Sequence, residues 1–240
     1  MPRTIGILDF GFWNLDCVSK EDSLRRPHAA FTTAFTTEQL RLLKELDTPA
    51  AIQSFLWALP YSAEERYRSP RSVLVDRIAH CFDGCLFAAA ALRYIGFAPL
   101  IVELLPTDRD DDHLIAVYKT RGAWGAVAKS NFAGLTYREP IYKNLRELVM
   151  SYFEQYYNVA REKTLRGYTA PLDLTRFDRL NWMGSDEHLE AIALRLDRVR
   201  KVRLITPAQV RNLSLLDKRS YEAGLLGANA KGLYRPTGAE

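Results

Sequence analysis

One segment near the middle of the chain constrains the fold more than any other. Residues 81–95 follow a helical pattern, and the four consecutive alanines from Ala88 to Ala91 put small side chains on every side of it. Gly96 follows directly and is a typical helix C-cap. A helix without a polar face cannot lie on the surface of a protein, because each of its faces needs an apolar neighbour. The sequence therefore predicts a central helix that other elements surround at close range.

The spacing of apolar residues changes directly after this helix. Residues 98–105 and 113–119 are rich in β-branched and aliphatic side chains, which predicts two strands. The Thr-Arg-Gly sequence at residues 120–122 is a hairpin signal, and residues 124–129 form the expected return strand. A helix followed by hairpin-connected strands predicts an α+β fold, in which an antiparallel sheet packs on the central helix.

Helical periodicity outside this region predicts further helices. They span residues 37–46, 51–59, 72–80, 144–158, 186–196 and 208–215. We expect residues 1–69 to form an N-terminal helical extension, residues 70–160 a core, and residues 161–240 a C-terminal helical extension and tail. The three segments are expected to form one unit. The last fifteen residues are rich in glycine and predict a mobile tail or an extended arm.

Charge and hydropathy exclude several classes of protein. The net charge of +4 is mild for 240 residues, and the arginines are scattered rather than gathered into a basic stripe, so we expect no nucleic-acid partner. No apolar stretch is long enough to span a bilayer, and the N-terminus lacks the pattern of a secretory signal. We therefore expect a cytoplasmic protein without a membrane partner. The sequence leaves the oligomeric state open.

The cysteines and acidic residues do not predict a metal site. Cys17, Cys81 and Cys85 are too few for a disulfide framework, and no second Cys or His pair completes a zinc site. The acidic run at residues 108–112 lacks the glycine and the terminal glutamate of a calcium loop, which favours a solvated turn. We expect no metal and no cofactor.

Cys81 and His113 are the residues that predict chemistry. Cys81 lies where the central helix begins, and helix N-termini lower the pKa of a thiol. His113 opens the strand that is expected to pack on that helix, which makes it a candidate base. The alternative for Cys81 is a buried structural thiol, and Cys85, one helical turn later, is interpreted as packing. On a continuous helix His80 would point about 100° away from Cys81, so no chemical role is assigned to it.

These residues occur in an order that resembles a known family. The matching pattern is Cys81-x3-Cys85-x-Phe87-x3-Ala91-Leu92-Arg93-x2-Gly96-x2-Pro99, followed by His113 and then Gly122-Ala123-Trp124. It resembles the transglutaminase-like cysteine enzymes, which belong to the papain-like superfamily. The resemblance covers about residues 70–132 and has the character of a stand-alone bacterial member.

The resemblance implies roles for individual residues. Cys81 would be the nucleophile and His113 the base. The family has an aspartate a few residues after the tryptophan, but none follows Trp124 here. Asn131 is therefore predicted to orient His113, with Ser130 a weaker candidate. Trp124 is expected to pack near the thiol, and both Trp124 and Ser130 are predicted to bind substrate.

Two functions follow as expectations. In the first, Cys81 attacks a peptide or small amide substrate and forms a thioester, and the backbone N–H of Cys81 supplies part of an oxyanion hole. Water as the acceptor would make the protein a peptidase or amidase, whereas an amine would make it an acyltransferase, and the sequence does not select between them. In the second, the protein is a catalytically inactive binding module, which the missing aspartate favours.

Overall fold

The computed structural model describes residues 29–235, so Cys17 and the rest of residues 1–28, and residues 236–240 of the predicted tail, lie outside the described residues. The strands are β1 (Leu100–Leu105), β2 (His113–Thr120), β3 (Ala123–Val127), β4 (Arg138–Tyr142), β5 (Gly167–Thr169), β6 (Leu172–Asp173) and β7 (Lys201–Arg203). The α-helices are α1 (Ala29–Ala34), α2 (Thr37–Glu45), α3 (Pro49–Ala58), α4 (Pro70–Asp76), α5 (Cys81–Tyr94), α6 (Leu145–Met150), α7 (Glu190–Leu196), α8 (Pro207–Arg211) and α9 (Lys218–Gly224). Three short 3-10 helices span Phe153–Gln155, Leu174–Leu180 and Ala230–Gly232.

The strands form one antiparallel sheet in the order β4-β3-β2-β1-β5-β7, and β6 also pairs with β1. Helices cover this sheet, so the predicted α+β class is confirmed. None of the described helices combines the length and the apolar character that a membrane span needs.

The central helix α5 is buried as predicted. Every residue from Cys81 to Leu92 is buried, and the ring of Phe87 stacks on Phe55 of α3 at 4.7 Å between centroids. Gly84 allows the closest approach to the sheet, because a Cβ atom at this position would collide with the Cβ of Lys129. Small residues on α5 thus let a helix and the sheet pack on it together.

The sheet is buried on both faces. The residues of β2 that face α5 are Leu114, Ala116 and Tyr118. Ile115 and Val117, which alternate with them, face a second apolar layer that includes Tyr152 and α6. Burial on both faces explains why β2 is a continuous apolar run in the sequence.

The predicted hairpin between β2 and β3 is confirmed. Thr120 pairs with Ala123, which leaves Arg121 and Gly122 as a two-residue loop. Both have a left-handed backbone, with φ of 51° and 84°, as a type I′ turn requires. The turn chemistry therefore fixes the register of these strands.

The predicted helix over residues 144–158 is shorter than expected. It ends at Met150, and the chain continues into a 3-10 helix. The reason is tertiary: the hydroxyl of Tyr152 donates to the carbonyl oxygen of Thr136 at 2.8 Å, and that of Tyr156 donates to the carbonyl oxygen of Asp111 at 2.8 Å. These aromatic residues tie the segment to the strands and loops around it instead of continuing a helix.

The C-terminal segment also differs from its prediction. It contributes β5, β6 and β7 to the sheet, so its predicted helical character was only partly right. The helix expected over residues 186–196 begins at Glu190, because His188 has a left-handed backbone with φ of 68°. Residues 226–235 belong to the segment predicted as a mobile tail or an extended arm, and they pack against the body of the protein through Asn229.

Candidate active site

Cys81 is the first residue of α5, and His80 is the N-cap. The start of the helix is fixed by the buried carboxylate of Asp83, which accepts hydrogen bonds from the backbone N–H of His80 at 3.0 Å and of Arg68 at 2.8 Å. The guanidinium group of Arg68 lies 3.6 Å from the same carboxylate and 3.0 Å from that of Asp76. This network holds the thiol in one place at the helix N-terminus.

The imidazole in contact with the thiol is that of His80. Its Nδ1 lies 3.3 Å from Sγ of Cys81, which corrects the prediction that His80 has no chemical role. That prediction assumed a continuous helix, but His80 has an extended backbone with φ of −82° and ψ of 176°. The ring therefore turns back towards Cys81. Burial lowers the pKa of His80, so the ring is a neutral acceptor for the thiol proton.

His113 shares a cavity with Cys81 but makes no direct hydrogen bond to it. The side chain is 4% exposed, and its Nε2 lies 2.8 Å from the carbonyl oxygen of Leu135. A neutral ring that donates from Nε2 leaves Nδ1 as an acceptor. Burial lowers the pKa of His113 to about 4. In β2, His113 is on the same face as Ile115 and Val117, away from α5. Its ring therefore faces Tyr156, with 6.5 Å between the ring centroids.

The predicted orienting role of Asn131 was wrong. Its Nδ2 donates to the carbonyl oxygen of Asn229 at 2.9 Å, and its Oδ1 accepts from the backbone N–H of Asn229 at 2.8 Å. Both polar groups are therefore engaged by the C-terminal segment. The carbonyl oxygen of Leu135 holds the His113 ring instead.

The two predicted substrate-binding residues lie in different places. Ser130 lines the cavity that contains Cys81 and His113, and its hydroxyl accepts a hydrogen bond from the backbone N–H of Phe132 at 3.0 Å. Trp124 pairs with Lys119, whose Nζ lies 4.5 Å from the centre of the indole. Lys119 lies six residues along β2 from His113, which corresponds to roughly 20 Å in a strand. The expectation that Trp124 packs near the thiol was therefore wrong.

The cavity around Cys81 and His113 is small, about 40 Å³, and parts of the chain that carried no sequence signal contribute to its lining. Tyr61 precedes the segment that resembles the family, and Gly232 and Tyr234 come from the C-terminal end. Asn229 also donates from Nδ2 to the carbonyl oxygen of Tyr61 at 3.0 Å. The C-terminal segment thus closes the cavity over the thiol.

The surroundings of Cys81 keep its thiol protonated. The residue is 5% exposed, and burial raises the pKa of the thiol, with a further increase from the carboxylates of Asp111 and Asp112. A hydrogen bond with Tyr61 acts in the opposite direction and lowers this pKa. Formation of a thiolate therefore requires a base in contact, a change in burial, or a nearby positive charge.

A second and larger cavity, about 370 Å³, borders Cys81 on another side. It is lined by His80, Phe82 and Tyr67, by residues of α7, and by the carboxylates of Glu103, Asp111, Asp112, Glu190 and Asp197. We call it the acidic pocket. Across residues 29–235, no group of three or more His, Cys, Asp or Glu residues is arranged to hold a metal ion.

No protein-family model matches the chain, and no curated protein is similar enough to it to be a recognisable relative. The functional interpretation therefore depends on the geometry around Cys81 and on the resemblance of residues 70–132.

Proposed function

We propose that the protein is a transglutaminase-like cysteine enzyme that cleaves an amide or peptide, or transfers its acyl group, through a thioester on Cys81. One observation carries the proposal. Cys81 is the first residue of a buried 14-residue helix and lines one cavity with His113, the first residue of a strand packed on that helix. The positive end of the helix dipole stabilises a thiolate at this position.

The proposed reaction has two steps. The thiol proton of Cys81 moves to an imidazole, and sulfur attacks the amide carbonyl carbon to form a tetrahedral oxyanion. The C–N bond then breaks, and the imidazole returns its proton to the leaving amine. Water or a second amine then gives a proton to the imidazole and attacks the carbonyl carbon of the thioester. The C–S bond breaks, the acyl group stays on the new oxygen or nitrogen, and the imidazole returns the proton to the sulfur of Cys81. The backbone N–H of Cys81 is proposed to donate to the oxyanion.

Two imidazoles compete for the role of base. His113 is the base that the resemblance implies, and its unprotonated Nδ1 is able to accept a proton. His80 is the ring in hydrogen-bonding contact with sulfur. The proposal assigns the role to His113, because catalytic hydrogen bonds of apo enzymes often form fully only in the substrate complex. Comparison of variants at the two histidines decides between them.

The second candidate function is a catalytically inactive binding module. Three observations favour it: the described structure has no hydrogen bond between Cys81 and His113, Asn131 is engaged by Asn229, and burial raises the pKa of the thiol. Such a module would use the cavities beside Cys81 to bind a ligand without turning it over.

Alkylation of Cys81 by iodoacetamide, followed by peptide mass spectrometry, separates the two functions. An enzyme is expected to label at Cys81 in the native protein at neutral pH, with Cys85 unreactive as a buried internal control. Replacement of the base, His113→Gln, is expected to slow the reaction about tenfold or more, within the usual contribution of a general base. His80→Gln is the matched variant. Labelling of Cys81 only after denaturation would contradict the enzyme proposal, and a loss confined to His80→Gln would move the base to His80.

A further inference from the structure

The acidic pocket brings five carboxylates together beside Cys81. They come from β1, from the loop before β2 and from the two ends of α7, and they are Glu103, Asp111, Asp112, Glu190 and Asp197. Neither Lys nor Arg is among the described residues that line the pocket. In residues 29–235, none of the five forms an ion pair with Lys, Arg or His. Glu103 is buried, whereas the other four carboxylates are exposed to solvent. A positively charged ligand would reduce the repulsion among these like charges.

Glu103 gives an observation that is independent of the other carboxylates. It is only 6% exposed and lines the pocket, and its buried Oε2 accepts no hydrogen bond. Buried carboxylate oxygens in proteins almost always accept a hydrogen bond, because an unmade bond leaves the cost of desolvation uncompensated. Glu103 therefore provides an acceptor in the wall of the pocket for a donor that binds there.

Burial and the neighbouring Asp112 raise the pKa of Glu103. A positively charged donor in the pocket would reverse this effect, because it stabilises the ionised carboxylate.

The rest of the pocket favours an organic cation with an aliphatic chain. The rings of Tyr67 and Phe82 lie 4.4 Å apart, and Leu114, Ala193 and Leu194 complete an apolar wall. The volume of about 370 Å³ is far larger than a bare ion requires. An ammonium or guanidinium group supplies several donors for carboxylates, and its alkyl chain can cover the apolar wall.

We propose that the acidic pocket binds an ammonium or guanidinium group carried on an aliphatic chain, with Glu103 as its buried partner. The inference deepens the proposed function, on which it rests for the role of Cys81: the amide substrate carries a basic group that lies beside its reactive carbonyl. Such a group would also offset the carboxylates of Asp111 and Asp112, which raise the pKa of the Cys81 thiol. Binding of the substrate would thereby favour the thiolate.

Calorimetric titration of the full chain with n-hexylammonium, n-hexylguanidinium and n-hexanol tests the pocket without any chemistry at sulfur. The two cations are expected to bind at least about tenfold more tightly than the neutral alcohol, since they form charge-assisted hydrogen bonds. The guanidinium and ammonium probes show which head group fits Glu103 better. Equal affinity for hexanol and the cations would overturn the proposal, and so would the absence of binding by both cations.

Substitutions test whether the cations bind in this pocket. Glu103→Gln keeps the size of the side chain and is expected to weaken cation binding about tenfold. Glu45→Gln, on the exposed surface of α2, removes the same charge outside the pocket and should change affinity less than about twofold. Because Glu103→Gln alters a buried position, Glu190→Gln with Asp197→Asn provides a second test on exposed residues of the pocket, with a loss of about threefold. An equal loss in Glu45→Gln and the pocket variants would overturn the proposal.

Failure of the enzyme proposal and failure of the pocket proposal give different results. Cation binding without native labelling of Cys81 would reject the enzyme and keep the pocket. Labelling that depends on His113, without cation binding, would keep the enzyme and reject the pocket.

Discussion

The two cavities that meet at Cys81 differ in size and in chemistry. The cavity that contains His113 holds about 40 Å³ and is closed by aromatic rings and by the C-terminal segment. The acidic pocket holds about 370 Å³ and is lined by five carboxylates, of which Asp111 and Asp112 also line the smaller cavity. The larger space for a ligand therefore lies in the acidic pocket, whereas the base that the sequence predicts lines the smaller cavity. Under the proposed function, the difference in size favours binding of the substrate through the acidic pocket and proton transfer in the smaller cavity.

The wall that the two cavities share consists of Cys81, at the start of α5, with Asp111 and Asp112, and the largest expected effect concerns the α5 part of this wall. Asp83→Ala removes the buried acceptor of two backbone N–H groups and leaves Arg68 without its buried carboxylate partner. We expect a loss of about 3–5 kcal/mol in the free energy of unfolding, as for other broken buried ion pairs. Urea denaturation measures it. The matched control is Glu222→Ala, whose exposed ion pair with Lys218 should contribute little; an equally small loss in Asp83→Ala would show that the wall does not depend on this network.

The burial of His113 in the closed cavity predicts that the free energy of unfolding depends on pH. The pKa of His113 falls from 6.5 to about 4 on folding, so the unfolded chain binds more protons between these values. Stability should therefore rise with pH through this window, and the contribution of His113 should fall by about 3 kcal/mol as pH decreases from 6.5 to 4. Denaturation at a series of pH values is expected to show this slope in the wild type and its loss in His113→Gln. The exposed His188 provides the control, His188→Gln; identical profiles for all three proteins would contradict the burial of His113.

Asn131→Ala separates two roles of Asn131. One is to hold the C-terminal segment over the smaller cavity, and the other is to orient His113. The structure gives Asn131 two hydrogen bonds to the backbone of Asn229, so Asn131→Ala should release the C-terminal segment. Two lost hydrogen bonds, at about 1 kcal/mol each, are expected to raise alkylation of Cys81 by up to about thirtyfold. An orienting residue of His113 would give the opposite result, a slower reaction. Asn212→Ala, at the end of α8, is the control and should leave the rate unchanged.

The smallest expected effect concerns Asp111 and Asp112, two carboxylates of the acidic pocket. The carboxylates of Asp111 and Asp112 raise the pKa of Cys81, so Asp111→Asn with Asp112→Asn should lower it and increase the thiolate fraction. We expect alkylation at pH 8 to become about threefold faster. Asp108→Asn, which removes an exposed charge from the same loop, is the comparison. A slower reaction in the double variant would mean that these carboxylates assist the thiol rather than oppose its ionisation.

The sequence predicted the centre of the fold well, because its signals there are local. The alanine-rich helix, the strands that follow it and the two-residue hairpin depend on spacing and turn chemistry within a few residues. The strands β5 and β7 carried no such signal, since each has only three residues and is defined by pairing with distant partners. The predicted helix at 144–158 ends early, at Met150, because tertiary hydrogen bonds override helical propensity beyond that point.

The site was less predictable, because most of its contacts join distant parts of the chain. Asn131 and Asn229 are 98 residues apart, and no pattern connects them. Trp124 follows His113 in the sequence, as the resemblance leads us to expect, but the hairpin places it far from His113. His80 was dismissed on helical geometry that does not apply to an N-cap.

Acylation of Cys81 by a pair of active esters tests the central claim most directly. The p-nitrophenyl esters of 6-guanidinohexanoate and hexanoate differ only in the basic group, and mass spectrometry locates the acyl group on the protein. We predict a thioester on Cys81 of the native chain, formed at least about tenfold faster with the guanidino ester. An adduct absent from Cys81, while other nucleophiles of the chain are acylated, would contradict the account.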